Sequence, residues 1–136
     1  MEQLNTPEDI SRDLIHFIAK SPSVFHAVRG IKAALLYAGF EEIREEDSWH
    51  IEKGKKYVVT RGGSALIAFT IPEEGGEAFH ITASHCDSPT FKIKENPDIH
   101  EGPYVKLNIE GYGGMLMSTW LDRPLSVAGR LMVTEN

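Results

Sequence analysis

The sequence is short of most features that would place it quickly. Cysteine occurs once, at Cys86, so an intrachain disulfide is impossible and a Cys-rich zinc module is excluded. Basic residues are outnumbered, with 14 Lys and Arg against 20 Asp and Glu and a formal charge of −6. They are scattered along the chain, which argues against nucleic acid and anionic membranes as partners. No apolar run approaches the ~20 residues of a membrane span. The opening Met1-Glu2-Gln3-Leu4-Asn5 has no basic stretch leading into an apolar one, so no secretory signal is visible. With a lone cysteine, a reducing, cytoplasmic setting is expected. His-Glu-x-x-His and Gly-x-Ser-x-Gly are missing, which leaves single-zinc protease and serine hydrolase chemistry without support. Gly111-Tyr112-Gly113-Gly114 lacks the Gly-Lys-Ser/Thr ending of a phosphate loop and the third glycine of a dinucleotide fingerprint. It reads as a backbone that approaches another element closely.

What is present fits one globular domain. The 136 residues are 41% hydrophobic and 25% charged, and such a chain is expected to bury roughly 65–70% of its unfolded surface. Thr6-Pro7-Glu8-Asp9 has a cap, a proline for the first helical position and two acids for the positive end of the dipole. Ile10, Leu14, Phe17 and Ile18 follow on one helical face. Ser21-Pro22 repeats the start signal, Val24, Val28, Ile31 and Leu35 form a second stripe, and Gly39 is the expected stop. Strands are predicted at Glu42–Arg44, Ser48–Ile51, Lys56–Thr60, Phe79–Ala83, Phe91–Lys94, Tyr104–Ile109 and Leu125–Val133. Ala65–Phe69 is a continuous apolar run that suits a strand covered on both faces. The pattern predicts an α/β fold, two N-terminal helices followed by a strand-rich part of a mixed sheet. The last predicted strand is followed by no helix or cap, so the chain is expected to be a piece of something longer.

The chemistry concentrates in Phe79-His80-Ile81-Thr82-Ala83-Ser84-His85-Cys86-Asp87-Ser88-Pro89. In an extended strand Phe79, Ile81 and Ala83 share a face, and His85 and Asp87 continue it where the strand leaves the sheet. Imidazole is a good zinc ligand, and a neighbouring carboxylate can accept its second ring N–H and fix the tautomer. Taken alone, His-x-Asp is more often a histidine satisfied by a local carboxylate at a turn. His16, His26, His50, His80 and His100 are scattered and read as surface or satisfied histidines. Trp49 and Trp120 read as packing residues.

Four stretches carry a resemblance. Leu14-Ile15-His16-Phe17-Ile18-Ala19-Lys20-Ser21-Pro22-Ser23-Val24-Phe25-His26-Ala27-Val28 resembles the opening helices of the aspartyl aminopeptidases. Arg61-Gly62-Gly63-Ser64-Ala65-Leu66-Ile67-Ala68-Phe69 is similar to that family's buried strand, and Ser84-His85-Cys86-Asp87-Ser88-Pro89 to its His-Thr-Asp-Ser-Pro metal motif. Tyr112-Gly113-Gly114-Met115-Leu116-Met117-Ser118-Thr119-Trp120-Leu121-Asp122-Arg123, with Leu125 and Ala128-Gly129-Arg130, resembles a further signature. The similarity is collinear over nearly the whole chain.

The resemblance implies a cocatalytic dizinc aminopeptidase that removes N-terminal, often acidic, residues from peptides and assembles as a large homo-oligomer. His85 would be a ligand to one zinc, and Asp87 the catalytic-site carboxylate that orients it. In the family the other ligands and the base glutamate lie further along, after an inserted dimerisation domain that should begin about where this chain ends. The span 1–136 would then be the N-terminal part of the catalytic domain, inactive alone and at most a weak or partial zinc binder. Glu41-Glu42, Glu45-Glu46 and Glu73-Glu74 lie upstream of His85, so none replaces the family's Glu-Glu pair.

Two positions depart from the family. Cys86 stands where Thr is common, and alternation points its thiol away from His85, so a small structural residue is expected. Pro124 stands where many members have Asp. Asp122 is not the bridging aspartate, which lies beyond the insertion; it reads as an acid paired with Arg123 or capping a turn. Two other functions fit the same residues. One is a non-enzymatic interaction module that keeps the half-fold; the other is a different dizinc amide hydrolase with the same His-x-Asp start. Any of the three permits Zn, Co or Mn at one His and one Asp.

Overall fold

In the computed structural model, which describes residues 6–76 and 78–135, both helices begin and end for local reasons. Helix α1 spans Pro7–Ala19. The Thr6 hydroxyl accepts from the Asp9 amide at 3.2 Å and the Asp9 carboxylate accepts from the Thr6 amide at 3.1 Å, a reciprocal capping box. Helix α2 spans Val24–Tyr37 with Ser23 at its N-cap. Its end is a Schellman motif: Gly39 donates to Leu36 O and Phe40 donates to Leu35 O, each at 3.0 Å. Gly39 has φ +85, a backbone that a side chain resists. The two helices meet where the Phe17 ring approaches Gly30, 3.5 Å from where a Cβ would sit.

Next comes a three-stranded mixed sheet in the order β1-β2-β3. Strand β1 (Glu41–Glu42) runs parallel to β2 (Lys56–Arg61), and β2 is antiparallel to β3 (Ala65–Thr70). The β2–β3 connection has positive φ at both Gly62 and Gly63, as a type I′ turn requires, and Ser64 donates to Arg61 O at 3.2 Å. The core lies between α2 and β2: Ala27, Val28, Tyr57, Val58 and Val59 are buried. Phe69 extends it, with ring centroids 5.5 Å from Tyr57 and 6.3 Å from Trp49.

The chain divides into two compact units. One comprises the described residues up to Asp87 and those from Ala128; the other is Ser88–Val127. The second unit is a long hairpin of β4 (Thr90–Glu101) and β5 (Tyr104–Tyr112). Its register shifts between Ile93 and Asp98, and Pro97 sits in that irregular stretch, where no ladder N–H is demanded. A single 3-10 turn, Met117–Trp120, follows, and Trp120 meets Phe91 edge-on at 5.7 Å.

The α/β class, the two helices and the strands at 56–60, 65–69, 91–94 and 104–109 agree with the sequence pattern. Three predicted strands do not form. Ser48–Ile51 is an irregular strap instead, held because Trp49 Nε1 donates to Arg44 O at 2.7 Å and the Glu52 amide donates to the Tyr57 hydroxyl at 3.0 Å. Phe79–Ala83 and Leu125–Val133 are irregular, without a ladder partner among the described residues; a β-pattern cannot become a strand without one. Glu42–Arg44 is reduced to the two-residue β1.

Strand β3 forms, yet as a sheet edge with Ala65, Ile67 and Ala68 exposed, so it is not covered on both faces. Gly113 takes φ +74 near Pro89, at ordinary contact distance, so backbone freedom rather than a close approach explains that glycine. Burial is the largest departure. The chain exposes 12149 Å², whereas a folded monomer of its 15.2 kDa exposes about 7,100 Å². It buries about 45% of its unfolded surface, not 65–70%.

Candidate functional site

His85 and Asp87 lie in the irregular segment that leaves the first unit. They meet through a contact between residues two apart in a stretch that belongs to no strand. His85 Nδ1 is 2.8 Å from the Asp87 main-chain oxygen and 3.2 Å from its carboxylate Oδ1. A carbonyl oxygen can only accept, so Nδ1 carries the proton and donates. In the neutral ring the lone pair is then on Nε2, and the side chain is 81% exposed. The sequence pattern pointed to the carboxylate as the acceptor; the shorter contact is to the backbone of the same residue.

A zinc site takes three or four protein ligands. Among the described residues no three His, Cys, Asp or Glu side chains come together as a metal-ligating group. His85 therefore fits one ligand position, and the described residues do not complete the set. Cys86 is a half-buried free thiol. His16, His50, His80 and His100 are exposed, and His26 Nδ1 lies 2.8 Å from the Ser23 hydroxyl. Asp122 is exposed in the turn after the 3-10 segment; no ion pair joins it to Arg123 or any other base among the described residues, so the pairing expected of it is not made.

The upstream glutamates are engaged elsewhere. Glu41 pairs with Lys55 at 3.2 Å and Glu42 with Lys32 at 2.9 Å, while Glu46 pairs with Arg44. Glu45 accepts from Arg61 Nε at 2.7 Å, and this hydrogen bond raises the Arg61 pKa. Hydrogen bonds that Lys55 donates to Glu52 and then to Glu41 raise the Lys55 pKa in the same way. These are exposed pairs that tie the segment around β1 to its neighbours, each contributing little.

Residues 17–136 match the family described as Aminopeptidase I zinc metalloprotease (M18). The chain belongs to that family. It is 51% identical over 128 residues to a probable M18 family aminopeptidase 2 of Clostridium acetobutylicum, covering 92% of this chain and 30% of that protein. It is 39% identical over 128 residues to a probable aspartyl aminopeptidase of Ricinus communis, covering 93% of this chain and 26% of that one. Among solved structures, the S. cerevesiae mApe1 dodecamer superposes with a TM-score of 0.72 at 28% identity, over 85% of this chain and 28% of that chain. This M18 chain thus spans less than a third of the length of these relatives. His85 and Asp87 both fall inside the matched region. No helix among the described residues is long and apolar enough to cross a membrane.

One feature had no signal in the sequence. Arg130, predicted within a strand, reaches back 68 positions: its Nη1 donates to Gly62 O at 2.7 Å and its guanidinium lies 4.4 Å from the Phe25 ring centroid. Neither periodicity nor local motif encodes a contact between residues so far apart.

Proposed function

We propose that this chain is the N-terminal part of a zinc aminopeptidase that removes N-terminal residues, acidic ones by preference, from peptides. His85 is a zinc ligand through Nε2, and Asp87 is the residue that holds its ring. The observation that carries this is the Nδ1 hydrogen bond to the Asp87 main-chain oxygen, which in the neutral ring places the lone pair on Nε2 of a largely exposed side chain within the family-matched region. When bound, zinc polarises the scissile carbonyl and lowers the pKa of its water. This chain's share is to present the imidazole in the right tautomer.

With one ligand, the 136 residues alone hold zinc weakly and do not cleave peptides. The exposed apolar residues, Ile67 and Ile81 among them, are faces that the remaining two-thirds of a relative-length protein would cover. The acidic preference is supported by the name of the Ricinus communis relative, and assembly into a homo-oligomer by the S. cerevesiae dodecamer. The setting proposed is cytoplasmic, since a single cysteine suits a reducing compartment.

The test is zinc stoichiometry with hydrolysis of an aspartyl chromogenic substrate. It is run on this chain and on a chimera in which the C-terminal remainder of the Clostridium acetobutylicum relative follows Asn136. The chimera should bind two zincs and cleave, this chain should do neither, and His85→Ala in the chimera should abolish cleavage. A folded chimera whose activity survives His85→Ala would remove His85 from the site.

A further inference from the structure

In an acidic chain, one pocket of the first unit is basic. It measures about 330 Å³ and lies between the first half of α2, the β2–β3 turn and the Gly129–Arg130 segment. That volume is within the range of small-ligand sites. Its apolar side is Phe25, with Val28 almost fully buried behind it; Arg29, Lys32 and Arg130 bring cations to its walls, and Thr60 lines it as well. Lys32 is neutralised by Glu42 at 2.9 Å. Arg29 and Arg130 are not: among the described residues, no carboxylate pairs with either.

Arg130 is nevertheless fixed. Its contacts are a backbone carbonyl and an aromatic face, which orient the guanidinium without cancelling its charge. Gly63 and Gly129 line the same pocket, and a Cβ at Gly129 would meet nothing within 4 Å, so the backbone there is open to a ligand. Every other arginine outside the pocket except Arg123 is matched to an acid: Arg12 to Asp9, Arg44 to Glu46, Arg61 to Glu45.

We propose that this pocket binds a carboxylate or phosphate group carried on a small apolar body, the anion between Arg29 and Arg130 and the body against Phe25. Planar guanidinium donors suit both anions, and an adjoining apolar wall selects a ligand that has more than charge. The proposal does not depend on the peptidase reading and involves neither His85 nor zinc.

The test is a titration of the 15N-labelled chain with phenyl phosphate and, separately, 3-phenylpropionate, with inorganic phosphate and benzyl alcohol as single-feature probes. At least one of the first two should give saturable 1:1 shifts centred on the Gly63 and Gly129 amides, tighter than inorganic phosphate or benzyl alcohol. The stronger of the two identifies the anion. Arg29→Gln should weaken binding about tenfold, the loss of one charge-assisted contact. Arg29 is exposed and makes no hydrogen bond or ion pair among the described residues, so this variant stays informative if Arg130→Gln is unstable. Arg123→Gln should leave the affinity unchanged. Absence of saturation with both aromatic anions, shifts centred elsewhere, or an unchanged affinity in Arg29→Gln would each overturn the proposal.

Discussion

Replacing Asp87 with alanine separates the two oxygens that hold His85. The carbonyl at 2.8 Å survives the substitution; the carboxylate at 3.2 Å does not. A single hydrogen bond to a carbonyl is worth about 0.5–1.5 kcal/mol, an approximately two- to tenfold bias toward a proton on Nδ1. The carboxylate adds less, because the two side chains are 81% and 44% exposed and solvent screens them; its share is at most about 1 kcal/mol. Asp87→Ala should therefore reduce the Nδ1–H population without inverting it. Long-range 1H–15N correlation spectra of the neutral ring read the tautomer directly. In the zinc-binding chimera the same substitution should cost about tenfold in zinc affinity, the lower end of what removing a ligand's supporting partner costs, because one support remains. A neutral His85 ring protonated on Nε2 in the unsubstituted chain would refute the reasoning, since Nδ1 would then have nothing to donate.

Two glycines of the α2 region should respond with opposite sign. Gly39→Ala forces a side chain into φ +85 and should destabilise by about 1–2 kcal/mol, whereas Gly30→Ala meets Phe17 only at ordinary contact distance and should stabilise by up to about 1 kcal/mol. Urea unfolding followed by circular dichroism measures both, and shifts of the same sign would contradict this account of the helix. At the other helix, hydrogen bonds from the Thr6 side chain and then its amide lower the Asp9 pKa below the usual 3.8. The folded value being the lower one, the cap is at full strength above the unfolded value and is lost as pH falls through the folded one. Amide exchange at the first turn of α1 should accelerate over that interval, and Asp9→Asn should flatten the dependence.

The parts of this fold that were legible in the sequence are those fixed by neighbours along the chain. Thr6 and Asp9 close a box three residues apart, Gly39 ends α2 through its own backbone, and Gly62-Gly63 turns β2 into β3; each is decided within a few positions. Illegible parts needed a distant partner. The alternation in Phe79–Ala83 and the apolar run in Leu125–Val133 have the composition of strands, but a strand is a pairing, and neither finds one among the described residues. The adjacency of His85 and Asp87 was legible for a reason other than the one offered. Two positions apart, an imidazole can reach its neighbour's main-chain carbonyl without any strand pairing.

That difference bears on how tightly His85 can serve a metal. A ligand on a strand inherits the rigidity of the ladder, whereas one held by a hydrogen bond two residues away keeps most of its rotamer freedom, worth on the order of 1 kcal/mol on immobilisation. The chain presents the right nitrogen but does little to fix its position. The core, Val58 and its neighbours on β2 and α2, gives that segment no ladder bond. On the aminopeptidase reading, His85 is then positioned by the protein that covers the exposed Phe79 and Ile81, and ordering of this segment and zinc binding occur together. Zinc added to the 136-residue chain should consequently leave the amide exchange of residues 79–87 unchanged. In the chimera it should slow exchange there, and equal protection in both would show that the local His85–Asp87 contact alone suffices.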